Sequence, residues 1–189
     1  MSIAFDPTLY HGRPANETGR LPRETAVYDL LERLAIPFDR VDHAPAATID
    51  DCDDIDALLG TPMCKNLFLC NRQKTAFYLL LLPGHKPLHS KDLSAQLGVA
   101  RLSFADTAYM EQFLTIAPGA VSVMGLMNDH DHRVQLVLDR PVAEARWLGC
   151  HPCVNTSSLR LATADLLERF LPAVGHAPVL VDLPEEGAL

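Results

Sequence analysis

The sequence predicts a single α/β domain of mixed α+β character, a mixed sheet with helices packed around it, on two observations. Two apolar runs, residues 66–70 and 76–82, flank the polar connection Asn71-Arg72-Gln73-Lys74-Thr75 and read as a β-hairpin. Further strand-like runs at 120–124, 134–138, 158–161 and 178–181 are separated by polar or helical segments, so hairpins and crossovers coexist in one chain. At 189 residues the chain is long enough for one substantial core.

The first 22 residues contain Pro7, Gly12, Pro14 and Gly19 without a sustained period, and read as an N-terminal arm to a domain spanning 23–183. Val27, Leu30, Leu31 and Leu34 fall on one helical face, and Pro37 stops that helix. Residues 38–42 alternate as a short strand. Asp50, Asp51, Asp53, Asp54 and Asp56 then precede a short helix ending at Leu58-Leu59-Gly60; the run lacks the glycine and distal glutamate of a calcium loop, and carboxylates suit a helix N-terminus.

Residues 76–82 are apolar throughout, as in a strand covered on both faces, which makes the hairpin central. Ser90 caps a helix carrying Leu93 and Leu97, with Gly98 as its stop, and Asp106 opens one carrying Tyr109, Met110, Phe113 and Leu114. Pro118-Gly119 turns the chain into the strand candidate at 120–124. Thr163 caps a last helix carrying Leu166, Leu167, Phe170 and Leu171, and residues 184–189 form a loose tail.

A hydrophobic content of 48% with 21% charged residues is ordinary for a globular protein, and the run at 76–82 is far too short to cross a bilayer. No membrane segment is expected. The N-terminus lacks a basic segment followed by an apolar one, and five cysteines are an odd number, so a cytoplasmic, reducing location is expected. A net charge of −8 argues against an extensive nucleic-acid surface. A local grip could come from Lys65, Arg72, Lys74, Lys86, Lys91 and Arg101, although such a cluster is ordinarily a solvated mixed surface.

No Gly-x-Ser-x-Gly elbow, phosphate-binding loop or dinucleotide fingerprint occurs. Lys65, at the entrance to an apolar strand, is either a surface lysine or a cation at the mouth of a cleft, where it could bind phosphate or stabilise charge developing on a carbonyl oxygen; Asn66 adds an amide beside it. Cys150-His151-Pro152-Cys153 admits three readings: a redox pair, half of a zinc site, or a loop presenting His151 to a small-molecule cleft with Asn155 orienting it. His130 and His132 read as exposed residues of a hairpin-like loop. Gly119 and Gly125 flank a segment that could approach a ligand closely.

Five segments in order, Lys65-Asn66-Leu67-Phe68-Leu69, Arg101-Leu102-Ser103-Phe104-Ala105, Pro118-Gly119-Ala120-Val121-Ser122, Leu126-Met127-Asn128-Asp129 and His151-Pro152-Cys153-Val154-Asn155-Thr156, resemble the YbaK-like aminoacyl-tRNA deacylases. Within these, the branch resembled is that of free-standing relatives of the prolyl-tRNA synthetase editing domain. The resemblance implies a partly closed mixed sheet and hydrolysis of mischarged tRNA(Pro), above all Ala-tRNA(Pro). It also implies Lys65 and His151 as catalytic groups, and Asn66, Gly119, Ala120, Val121, Ser122 and Asn155 around the aminoacyl pocket. The partner implied is the aminoacyl acceptor end of tRNA(Pro), with prolyl-tRNA synthetase as a possible second one; no metal or cofactor is implied. Other function classes are a non-catalytic binding module and a Cys150/Cys153 redox or zinc protein. Val123, Cys64 and Cys153 depart from the usual family pattern, and the three changes are expected to touch the pocket wall.

Overall fold

The computed structural model describes residues 3–46 and 52–185. Its strands form two sheets. The first is antiparallel, in the order β1-β2-β8-β7: β1 (Tyr10–His11), β2 (Phe38–Asp42), β8 (Ser157–Ala162) and β7 (Trp147–Cys150). The second is mixed, in the order β5-β3-β4-β6-β9: β5 (Ser103–Phe104), β3 (Cys64–Cys70), β4 (Phe77–Pro83), β6 (Val134–Asp139) and β9 (Val179–Val181). The expected hairpin is β3–β4, with Lys65 opposite Leu82 and Leu69 opposite Tyr78.

The sheets meet where Met63 bridges to Gly149 in parallel. A Cβ on Gly149 would lie 2.6 Å from the Pro62 carbonyl oxygen, so this seam requires glycine. The partly closed sheet of the sequence reading is this pair of sheets joined along one seam.

β4 lies between antiparallel β3 and parallel β6, and Leu79 through Leu82 are completely buried. One face of its sheet packs with α1 (Pro22–Arg33), through Val27, Leu30 and Leu31, and with α4 (Thr107–Leu114), through Phe113 and Leu114. The other face carries Leu69, Leu80 and Leu82 against Leu93 of α3 (Ser90–Leu97) and Leu183. Alternate β4 side chains serve opposite cores, which is why its sequence lacks a polar phase.

Several expectations change. Residues 120–124 are not a strand: Ser122 accepts from the Met124 N–H and caps a 3-10 helix, Val123–Asn128. A short apolar run carries no period that separates strand from helix, and here one serine hydroxyl decides it. Gly125 therefore lies inside that helix, against Leu114 and Ile116, and flanks no strand. Ser90 and Thr163 are first residues of their helices; His89 and Ala162 occupy the cap positions, without side-chain capping bonds. The last helical segment runs as α6 (Thr163–Asp165), a π-helical stretch (Leu166–Phe170) and α7 (Leu171–Ala173), after the short α5 (Arg140–Glu144).

The arm is laid along β2, through Tyr10 opposite Arg40 and a bridge from Phe5 to His43. Asp53, Asp54 and Asp56 occupy the first turn of α2 (Asp53–Leu59), as the dipole argument expects, whereas Asp50 and Asp51 lie outside the described residues, as do 186–189 of the tail. Among the described residues no helix is long and apolar enough to cross a membrane.

Candidate active site

The site grows from an uncovered edge. β4 pairs with β3 along all seven of its residues, whereas β5 covers the opposite edge only at Leu69 and Cys70. The first half of β3 therefore borders a cavity of about 300 Å³, whose lining includes Met63, Cys64, Lys65, Asn66, Phe104, Gly119, Val121 and His151. Residues drawn from β3, the Gly119 turn and the β7–β8 connection thus share one hollow.

Lys65 Nζ donates to the Lys86 carbonyl oxygen at 2.9 Å, which fixes the end of an otherwise flexible side chain. Asn66 Nδ2 donates to the Cys64 carbonyl at 3.0 Å, while Asn66 Oδ1 is buried without a hydrogen-bond partner. An unsatisfied buried acceptor in a cavity wall is costly unless a ligand donates to it.

His151 Nδ1 lies 2.9 Å from the Ser157 carbonyl oxygen. A carbonyl only accepts, so the neutral ring carries its proton on Nδ1 and leaves Nε2 as an acceptor. Burial pushes the His151 pKa down to about 4 and the nearby His43 adds to the shift, so the ring is neutral at physiological pH.

His43 sits 5.9 Å from His151, ring to ring, and its Nε2 meets the Ser158 hydroxyl at 2.9 Å while its Nδ1 faces the Ala44 carbonyl at 2.8 Å. Burial lowers its pKa as well. Sequence reasoning gave His43 no role; the available signal was a histidine at the end of a strand whose partner, β8, begins at Ser157.

Of the site residues expected from sequence, Lys65, Asn66, Gly119, Val121 and His151 line the cavity, and Ala120, Ser122 and Asn155 do not. Ala120 belongs to the core. Ser122 donates to the His151 carbonyl at 2.5 Å and so holds the histidine loop against the 3-10 helix. Asn155 donates to the Ala46 carbonyl at 3.1 Å, and a Cβ on Gly119 would touch its Nδ2 at 3.5 Å, so it ties two walls together. Gly119 itself adopts φ +83°, a left-handed conformation that glycine accepts without strain.

Of the three family departures, only Cys64 reaches the cavity. Val123 and Cys153 are buried in the core, which corrects the expectation that all three touch the pocket wall. Burial raises the Cys64 and Cys153 thiols to about 12 and the Cys150 thiol well above its usual range, the reverse of what a redox nucleophile requires. Among the described residues no group of three or more His, Cys, Asp or Glu side chains is placed to hold a metal ion.

His130 and His132 are exposed, but no hairpin surrounds them because 120–124 is not a strand. The expected cationic patch is thinner than its sequence. Lys86 is buried against Asp139 at 2.7 Å, and Lys74 pairs with Asp106 at 2.5 Å. Arg72, Lys91 and Arg101 remain exposed, and Lys65 is half-buried.

Comparison with known proteins agrees with this arrangement. The family model for the aminoacyl-tRNA editing domain matches residues 43–169, a span that includes Lys65, Gly119 and His151. The chain is 29% identical over 158 residues to the prolyl-tRNA editing protein ProX of Acetoanaerobium sticklandii, covering 84% of this chain and 96% of that one. It is 31% identical over 156 residues to the mouse prolyl-tRNA synthetase associated domain-containing protein 1, covering 80% and 91% of the two chains. A crystal structure provisionally described as a trans-editing enzyme for prolyl tRNA synthetase superimposes with a TM-score of 0.64 at 19% identity, over 88% of this chain and 99% of the other, and establishes likeness of fold. The chain belongs to the aminoacyl-tRNA editing domain family and is an aminoacyl-tRNA deacylase.

Proposed function

We propose that the protein hydrolyses the ester of mischarged tRNA(Pro), with Ala-tRNA(Pro) as its main substrate. The observation that carries this reading is the convergence of Lys65, the unpartnered Asn66 Oδ1 and the neutral His151 on one hollow of about 300 Å³, a size at the small end of ligand pockets. The names of the ProX and prolyl-tRNA synthetase associated relatives support tRNA(Pro) as the nucleic acid and prolyl-tRNA synthetase as the enzyme whose products are corrected.

In this reading Asn66 Oδ1 accepts from the α-ammonium of the esterified amino acid. His151 Nε2 accepts from the attacking water and orients it. As the water oxygen bonds to the ester carbon, negative charge builds on the carbonyl oxygen and the Lys65 ammonium stabilises it. Collapse breaks the bond to the ribose, and the proton lost by the water ends on the departing tRNA hydroxyl. An imidazole with a pKa of about 4 is a weak base, so its contribution is placement of the water more than removal of its proton.

Preference for alanine over proline rests in this reading on exclusion of the larger ring by the lining, which includes Met63, Cys64, Val121 and His151, because extra methylenes alone discriminate weakly. A cytoplasmic location and a complex with prolyl-tRNA synthetase accord with the cysteine usage and the relatives' names. The test is incubation of purified protein with Ala-tRNA(Pro): release of free alanine supports the reading, and an intact ester rejects Ala-tRNA(Pro) as the substrate.

A further inference from the structure

Phe104 lines the cavity and takes no part in this chemistry. Its ring is 65% exposed although it lines the cavity, whereas the other phenylalanine of the lining, Phe68, is 2% exposed and belongs to the core. Single exposed hydrophobic residues are common on protein surfaces, but this one stands on the rim of a substrate site.

Its backbone is pinned. Phe104 pairs with Leu69, Ser103 pairs with Cys70, and the Ala105 N–H donates to the Phe68 carbonyl at 3.0 Å. Directly opposed residues of antiparallel strands project from the same face, and so do residues two and four apart along a strand. Phe104 is therefore on the face of β3 that carries Leu69, Leu67 and Lys65. Four residues at roughly 3.3 Å each separate the Lys65 and Leu69 positions by about 13 Å, a distance that the lysine's four-carbon stem and the reach of the phenyl ring both shorten. Arg101, three residues before Phe104, is also exposed and adds positive charge to this stretch of the chain.

We propose that Phe104 is a stacking platform for the terminal nucleobase of the aminoacyl end, holding that base at the rim while the ester on its ribose reaches Lys65. The inference rests on the function proposed above. A phenyl ring offers no hydrogen bond, so it recognises the face of a base and not its edge, and every nucleobase has such a face. The ring positions the substrate and takes no part in bond making.

The test combines variants with a substrate whose terminal base has been removed. On Ala-tRNA(Pro), Phe104→Ala raises KM about 5- to 150-fold, the range of a lost base–aromatic stack, with kcat changed less, and Phe104→Trp stays within about twofold of wild type. On Ala-tRNA(Pro) ending in an abasic ribose, wild type and Phe104→Ala behave alike. Equal losses on both substrates, or an unchanged KM with Phe104→Ala while wild type is active, overturn the platform and leave the hydrolase reading standing. A loss seen only when prolyl-tRNA synthetase is present assigns the ring to a protein contact and also overturns it.

Binding of a non-hydrolysable 3′-alanylamino-adenosine oligonucleotide extends the test to a protein without activity. Weaker binding by Phe104→Ala supports the platform even if the hydrolase reading fails, and equal binding by both proteins rejects it.

Discussion

The two strands of the central hairpin differ in what covers them. β4 has a neighbour on each edge and cores on both faces; β3 shares the hairpin's apolar character but is uncovered along its first half. The covered strand supplies stability. The uncovered one borders the cavity, where a backbone edge, a lysine and an amide can meet a ligand without dismantling the sheet. Substitutions on the two strands should therefore separate catalysis from folding.

The largest separation is expected at Lys65. Lys65→Ala should lower the deacylation rate about 100- to 1000-fold, the cost of removing a donor to a developing oxyanion, with little change in Tm; a rate within a few-fold of wild type would contradict its assignment. Leu80→Ala on β4 should behave oppositely. It should destabilise the fold by about 2–5 kcal/mol in chemical denaturation and leave kcat of the folded protein nearly unchanged. A Leu80→Ala variant that is stable but inactive would break the division between the strands.

His151 is expected to come next, through pH. Its folded pKa of about 4 lies below the unfolded value near 6.5, so between them the unfolded chain binds the extra proton. Its contribution is complete above about pH 6.5 and is lost as pH falls toward 4, on the order of 2 kcal/mol for a ring still open to the cavity. Asp56, raised by burial to about 6, opposes this trend, so the comparison is the difference between wild type and His151→Gln: wild type should gain stability relative to the variant as pH rises from about 4 to about 6.5. Deacylation should hold level from neutrality to about pH 5 and decline as the imidazole protonates. The smallest effect is expected at Cys64: Cys64→Ser should keep the alanine rate within about threefold and alter chiefly the ratio of alanine to proline release, since a polar rim atom changes only part of the wall.

Much of this division was legible in the sequence. The unbroken apolar run of β4 announced a strand covered on both sides, and the polar five-residue connection announced its hairpin with β3. The placement of Lys65 and Asn66 at the start of an apolar strand pointed to a cleft mouth, and the five-segment resemblance brought His151 to the same place.

What escaped depends on contacts distant in sequence. Nothing near Ala120 reveals that the Ser122 hydroxyl turns an apolar run into a 3-10 helix, because its second partner is the His151 carbonyl. Nothing near Lys86 reveals that Asp139 draws it out of the surface patch. His43 was invisible for the same reason: its meaning comes from Ser158 and His151, more than a hundred residues away.

The most direct test of the whole account is single-turnover hydrolysis by the purified protein of tRNA(Pro) charged in parallel with alanine and with proline. The account predicts that the alanyl ester is cleaved at least about tenfold faster, the lower bound for pocket discrimination by size. Survival of both esters, or release of proline as fast as alanine, would contradict it.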